Sequence, residues 1–192
     1  NNGQGGDSGG HEHAIYLNHQ LDGGPELHHC IAINHAKGYA FKSRGGFYGH
    51  DNQGFNCAWG LFDLEGNGAG NINIRLLRNV GAFNATAGGA GMFVQKDTGS
   101  ISLRCYHLTL HQNSGGGSSG EINVNSDLDL LDIRNAIVSA VAGQKYMRIV
   151  AQTHAPIIDY VDYFGSVDNG NPCVYAGTQQ NFSGVTLSLC PD

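Results

Sequence analysis

The sequence predicts an all-β protein, a parallel β-helix of about six coils closed at its C-terminal end by a disulfide-bonded cap. Composition is the first reason. Of 192 residues, 30 are Gly and 18 are Asn, a quarter of the chain in residues that suit tight or left-handed turns and disfavour helices. Hydrophobic residues still make up 40%, which excludes a disordered linker or a collagen-like repeat. The second reason is a repeat, a short alternating strand preceded by a small-residue turn and an Asn. It reads Asn34-His-Ala-Lys-Gly-Tyr-Ala-Phe-Lys, Asn56-Cys-Ala-Trp-Gly-Leu-Phe-Asp-Leu, then the segments opening at Asn84 and Asn113. The third is a further apolar stretch in each unit, at 26–33, 71–83, 101–110, 128–138 and 155–165. Units of 22–29 residues with no helix between their strands fit coils whose equivalent strands stack into sheets.

Residues 1–12, rich in Gly, read as a flexible tail or linker stub, and the β-helix occupies 13–165. Side chains alternate along a strand, so Ile15/Leu17, Tyr39/Phe41, Phe62/Leu64, Met92/Val94, Ile122/Val124 and Met147/Ile149 should point inward, one apolar pair per coil. The outward column is then Tyr16/Asn18, Lys42/Arg44, Asp63/Glu65, Phe93/Gln95/Asp97, Glu121/Asn123/Asn125 and Tyr146/Arg148. Asn34, Asn56, Asn84 and Asn113, at equivalent turns, predict a ladder of side-chain amide hydrogen bonds up the stack. Residues 166–192, with Cys173 and Cys190, form the cap. The first coil begins near His13 without an amphipathic helix to cover its strand edges. That predicts a fragment, a subunit contact or a fibre, with self-association through the uncapped N-terminal coil.

The formal net charge is −6 and Lys and Arg are scattered, so neither nucleic acid nor an anionic membrane is an expected partner, and no apolar run is long enough for a membrane span. The five Cys show no zinc spacing and predict disulfides: Cys173 and Cys190 could close the C-terminal segment and Cys30 could join Cys57, which would leave Cys105 free, the connectivity of the last three staying open. A secreted, extracellular or cell-surface location follows. Asn84-Ala-Thr and Asn181-Phe-Ser fit the glycosylation sequon. Ten His include the close sets His11/His13, His28/His29 and His107/His111, none of which matches a tight metal template, so no metal ligands are assigned.

With the repeated Asn-turn-strand pattern, His13-Ala-Ile-Tyr-Leu-Asn, Phe41-Lys-Ser-Arg and the closing Asp159-Tyr-Val-Asp-Tyr-Phe, the chain resembles the right-handed parallel β-helix proteins of the polysaccharide lyase and glycoside hydrolase kind. The likeness spans 13–165 and implies architecture more than activity. An outward face of acids, bases, amides and aromatics suits a polysaccharide, because amides and charges bond hydroxyls and rings stack on sugars. A solvated face whose charges pair across strands is the equal alternative for the column itself. The leading expectation for function is a polysaccharide lyase that cleaves an acidic, uronate-containing glycan by β-elimination; the alternatives are a structural, adhesive or glycan-binding β-helix that is not an enzyme, and a glycoside hydrolase. A lyase acting on a uronate polymer needs a cation and a base, roles open to Lys42 and Arg44, with Tyr16 or a nearby His as proton donor. A hydrolase would pair Asp63 with Glu65 or Asp97. Tyr16, Asn18, His35, Gln95, Asp97 and Asn123 are the expected substrate contacts. The calcium-dependent pectate lyases carry a carboxylate cluster in the turn before the Lys-bearing strand, where this chain reads Asn34-His-Ala-Lys-Gly. Asp63 and Glu65 one coil later are the carboxylates to which Ca²⁺ would go, two being too few to define a cage.

Overall fold

A computed structural model describes residues 12–17, 24–66, 70–84, 89–113, 120–141 and 144–164, together with the backbone of 173–175 and 178–179. Every regular element in it is a strand. The first coil contains β1 (Ile15–Leu17), β2 (Glu26–His28) and β3 (Ile31–Ile33), and the second β4 (Tyr39–Ser43), β5 (Phe47–His50) and β6 (Gln53–Phe55). Next come β7 (Gly60–Gly66), β8 (Asn71–Leu77) and β9 (Val80–Ala82), then β10 (Met92–Lys96), β11 (Ser100–Tyr106) and β12 (Thr109–His111). In the last coils the second and third strands merge, giving β13 (Gly120–Val124) with β14 (Leu130–Ser139) and β15 (Lys145–Ile149) with β16 (Ile157–Phe164). β17 (Cys173–Tyr175) stacks parallel on β15 and pairs antiparallel with β18 (Thr178–Gln179). The result is a parallel β-solenoid of about five turns with three faces. The first face runs β1-β4-β7-β10-β13-β15, the second β2-β5-β8-β11-β14-β16, and the third β3-β6-β9-β12 with the C-terminal halves of β14 and β16.

Each coil therefore has three strands where the sequence suggested two. The extra corner is made by a single residue. His29, Asp51, Arg78, His107, Asn135 and Tyr160 have φ between 51° and 56° and break each apolar stretch between the second and third faces. Asn34, Asn56, Phe83 and Gln112 do the same at the exit from the third face, with φ of 50–55°. A left-handed residue with a Cβ costs about 1–2 kcal/mol, yet here the turn keeps the ladder intact. Asp51 N donates to Leu77 O at 3.0 Å, Arg78 N to Tyr106 O at 3.0 Å and Asn56 N to Ala82 O at 3.2 Å. The glycines of the repeat serve a different need. At Gly38 (φ +77°) and Gly60 (φ +147°) a Cβ would lie 1.9 Å from Glu12 O and 1.8 Å from Ala90 O, so only Gly lets adjacent coils approach there.

The first-face core follows the expected inward column. Phe41, Phe62, Met92, Ile122 and Met147 are register partners and fully buried, as are Leu64, Val94, Val124 and Ile149. Tyr39 differs, lying buried against His13 and Trp59 outside the core cluster. The position preceding the Phe41 column, occupied by Ala40, Leu61, Glu121 and Tyr146, is also buried, because the strand enters from a tight corner that turns this side chain toward the interior. Glu121 and Tyr146 therefore leave the outward column.

The Asn ladder exists, but in a different register. Asn34 and Asn56 occupy left-handed positions and bond outside the coil, Asn56 Nδ2 donating to Asn34 Oδ1 at 2.7 Å. Asn84 and Asn113 stand one residue further on, point inward, and bond to each other at 2.6 Å while capping Gly54 O and Gly81 O. This pair ends on the buried carboxylate of Glu121, which accepts from Asn113 N and Nδ2. A second inward pair that sequence reading missed, Asn52 and Asn79, does the same work at the other corner. Asn84 is 4% exposed, so its sequon is closed to modification in the folded protein.

Cys30, Cys57 and Cys105 are free thiols, which corrects the expected Cys30–Cys57 bridge. Cys57 Sγ instead lies 3.8 Å from Ala32 O and 3.7 Å from Phe55 O. The expected cap bridge is not among the structure's findings: Cys190 and the side chain of Cys173 lie outside the described residues, as do most of the tail at 1–12 and most of 166–192.

Asn79→Ala should lower unfolding free energy by about 3 kcal/mol, because it removes the acceptor shared by Asn52 N and Nδ2 and the amide that donates to Gly49 O. Asn56→Ala, on the exposed pair, should cost about 1 kcal/mol, mainly for a Cβ without a compensating amide at a left-handed corner. Urea unfolding of the two variants measures the difference.

Candidate functional site

Parallel stacking aligns one side chain per coil along the first face. Tyr16, Lys42, Asp63, Phe93, Asn123 and Arg148 are successive register partners, and Glu65 pairs with Gln95 in the neighbouring row. The outward register is thus the expected one, but its centre is not solvent-facing. Lys42 is 7% exposed and Asp63 5%. Lys42 Nζ donates to Asp63 Oδ2 at 2.7 Å and to Glu65 Oε1 at 2.5 Å. Arg44 Nε donates to Glu65 Oε2 at 2.9 Å, and its guanidinium lies 5.6 Å from the centre of the Tyr16 ring. Four charges and one aromatic ring form a single network.

The two carboxyls of that network are pushed in opposite directions. Burial raises Asp63 to about 6 against the pull of Lys42, and its second oxygen, Oδ1, is buried without a hydrogen-bond partner. Burial also acts on Glu65, but bonds from both Lys42 and Arg44 leave it below the usual glutamate range. Tyr39, buried and near Asp63, is raised.

The remaining expected contacts divide. Phe93 separates the network from Asn123, whose Oδ1 accepts from Arg148 Nη1 at 3.3 Å, a nitrogen shared with Asn125. Gln95 donates to Asp97 Oδ1 at 3.3 Å beyond the end of β10. His35 sits in the turn before β4 with Nε2 3.1 Å from Glu12 O, engaged with the preceding coil rather than with the Lys42 network. Asn18 lies outside the described residues.

The second face holds a set of residues that sequence reading passed over. Four of the six arginines, Arg75, Arg78, Arg104 and Arg134, are on it or at its corner. Arg75 and Arg104 are register partners on adjacent strands, with Tyr48 before them and Asp132 after. Asp132 is taken up by Tyr106 Oη and Arg134 Nε, each at 2.7 Å. Arg78 is taken up by Asp51. Arg75 and Arg104 have no ion pair among the described residues. The signal was present in the sequence, since Asn-Ile-Asn-Ile-Arg75 and Ser-Ile-Ser-Leu-Arg104 align residue for residue. It becomes a patch once the coils are superposed.

No family model, curated protein or solved structure matches the chain.

Lys42→Ala should cost about 3 kcal/mol in urea unfolding, because it leaves Asp63 buried without its cation and beside Glu65, which keeps only Arg44. The raised pKa of Asp63 also sets a pH dependence. Its stabilising contribution is complete below about pH 3.8, the ordinary value, and is lost as pH rises through about 6, on the order of 3 kcal/mol in all. Glu65, being lowered, contributes in the opposite sense, losing its share as pH falls below its ordinary 4.5. Asp63→Asn should remove the loss between pH 4 and 6, measured by urea melts across that range.

Proposed function

We propose that the protein is a secreted carbohydrate-binding β-solenoid whose ligand is an acidic polysaccharide. The observation that carries the reading is the Arg75–Arg104 pair, two cations on neighbouring rungs with no ion pair among the described residues, flanked by Tyr48 and Tyr106. Guanidinium groups take carboxylates or sulfates in a two-pronged geometry that suits them to anionic sugars. Rings beside them offer stacking surface. Strands about 4.8 Å apart present these groups at a regular interval along a flat face, as an extended polymer requires. In a chain of net charge −6, two adjacent unpaired arginines otherwise repel each other to no benefit.

Catalysis is the second reading, and the Asp63/Glu65 pair favours it. One carboxyl raised and one lowered is the arrangement of a general acid beside an ionised partner. Both bond one ammonium nitrogen, which suits the roughly 5–5.5 Å separation of a retaining glycosidase. A polysaccharide lyase would use the same centre differently, with Lys42 or Arg44 exchanging its carboxylate partner for the substrate's uronate. A Ca²⁺-dependent variant of that chemistry would need more oxygen donors than Asp63 and Glu65, both of which are already bonded to Lys42. Secretion now rests on the ligand, since Cys30, Cys57 and Cys105 are free and the disulfide argument does not apply to them. Self-association at the first coil is supported by Ile31 and Ile33 of β3, 61% and 60% exposed.

Affinity electrophoresis in gels containing polygalacturonate or alginate should retard the protein, whereas a neutral glucan should not. Arg75→Ala and Arg104→Ala should each weaken retardation about tenfold or more while leaving the melting temperature unchanged. Equal retardation of wild type and the double variant would refute the assignment. Incubation of the same polymers with and without Ca²⁺ separates the enzymatic readings, an unsaturated ultraviolet-absorbing product marking a lyase and reducing ends alone a hydrolase.

A further inference from the structure

We infer that the protein carries a divalent transition-metal site of the zinc type at the corner between its second and third faces, with His29, His50 and Asp51 as the protein ligands. Two coils bring the donors together. His28 and His50 are register partners on β2 and β5, their rings stacked 5.1 Å apart at 8°. His29 and Asp51 follow them at equivalent left-handed corners, φ 53° and 56°, where the backbone holds both side chains on the outside of the turn. One ligand atom from each of His29, His50 and Asp51 lies within 4.8 Å of the others. Modest side-chain rotation closes such a set around one ion, because bonds of about 2.0–2.2 Å to imidazole nitrogen and carboxylate oxygen suffice.

The surrounding contacts define which atoms are available. His50 Nε2 lies 2.7 Å from Glu26 Oε1, which fixes the ring and leaves Nδ1, 2.7 Å from Asp51 Oδ2, for the ion. A carboxylate on the far nitrogen is the usual way a metal-bound imidazole is oriented. His28 Nδ1 and His29 Nδ1 are 2.9 Å apart, so one supplies the proton and the other a lone pair. Arg78 donates to both oxygens of Asp51 at 2.7 Å and so fixes the orientation of that carboxylate at the corner. Two imidazoles and one carboxylate select zinc-like ions over the hard cations Ca²⁺ and Mg²⁺, which require more oxygen ligands. Three protein donors leave a fourth position open to water or to a ligand group. The site is separate from Arg75 and Arg104 in its ligands, and glycan binding can fail without affecting it.

Chelator-treated full-length protein titrated calorimetrically with ZnCl₂ should bind one ion per chain at the site, and Co²⁺ should give visible d–d absorption that Zn²⁺ abolishes. His29→Asn, which keeps a side chain suited to the left-handed corner, and His50→Ala should each lower Zn²⁺ affinity by at least about tenfold. Asp51→Asn should do the same while preserving the acceptor for Arg78 and the far-ultraviolet circular dichroism of the wild type. His154→Ala, exposed and remote in sequence, should bind as wild type. The proposal is overturned if wild type shows no stoichiometric Zn²⁺ binding, or if Asp51→Asn and the folded His29→Asn/His50→Ala double variant bind as tightly as wild type.

Discussion

A single left-handed residue at the corners that bound the third face is the constraint on which the rest of this structure depends. An ordinary loop would interrupt the main-chain hydrogen bonds between coils and bury unpaired amides and carbonyls, each costing roughly 1–3 kcal/mol. Turning the chain within one residue lets the ladder continue, as the bonds from His29, Asp51, Arg78 and His107 to the coil above illustrate. The inward Asn pairs complete the arrangement. Asn52, Asn79, Asn84 and Asn113 follow the left-handed residue directly, and their amides satisfy the corner groups that strand pairing cannot reach. Apolar packing of Phe41, Phe62, Met92, Ile122 and Met147 then needs no further adjustment, because equivalent positions are already stacked.

The faces of the solenoid use charge in contrasting ways. On the first, Lys42 neutralises two carboxylates away from water, and the orphaned Oδ1 of Asp63 records that the neutralisation is incomplete. On the second, Asp132 and Asp51 are saturated by Tyr106, Arg134, His50 and Arg78, which leaves Arg75 and Arg104 without an ion pair among the described residues. Both patterns arise from the same geometry. Parallel stacking places like positions of successive coils in direct contact, so identical residues repel and complementary ones lock.

Much of this was legible in the sequence, and what was missed has a common origin. Alternation gave the inward and outward rows of the first face with the correct register, because those strands share one pattern of side chains. It failed at Glu121 and Tyr146, where the entry corner rotates the chain before alternation begins. Asn34 and Asn84 looked equivalent because both precede a Gly-containing turn, yet one is the corner residue itself and the other follows it; Phe83 is the true counterpart of Asn56. Exposure was the other gap. Outward direction follows from period two, but the burial of Lys42 depends on neighbours one coil away in the chain. The same separation hid the histidine corner, whose members are 21 and 22 residues apart in sequence and adjacent in space.

The two series of left-handed corners are offset by five residues wherever both occur: 29 and 34, 51 and 56, 78 and 83, 107 and 112. Repeat length meanwhile varies from 22 to 29 residues. All the variation in length is therefore absorbed by the other two connections, and the third face is a rail of fixed gauge. Insertions can accumulate elsewhere on the molecule without disturbing it, so the coil has one edge that sets alignment and others free to diversify. That division lets such a chain acquire new surface chemistry by local lengthening while its stacking stays in step.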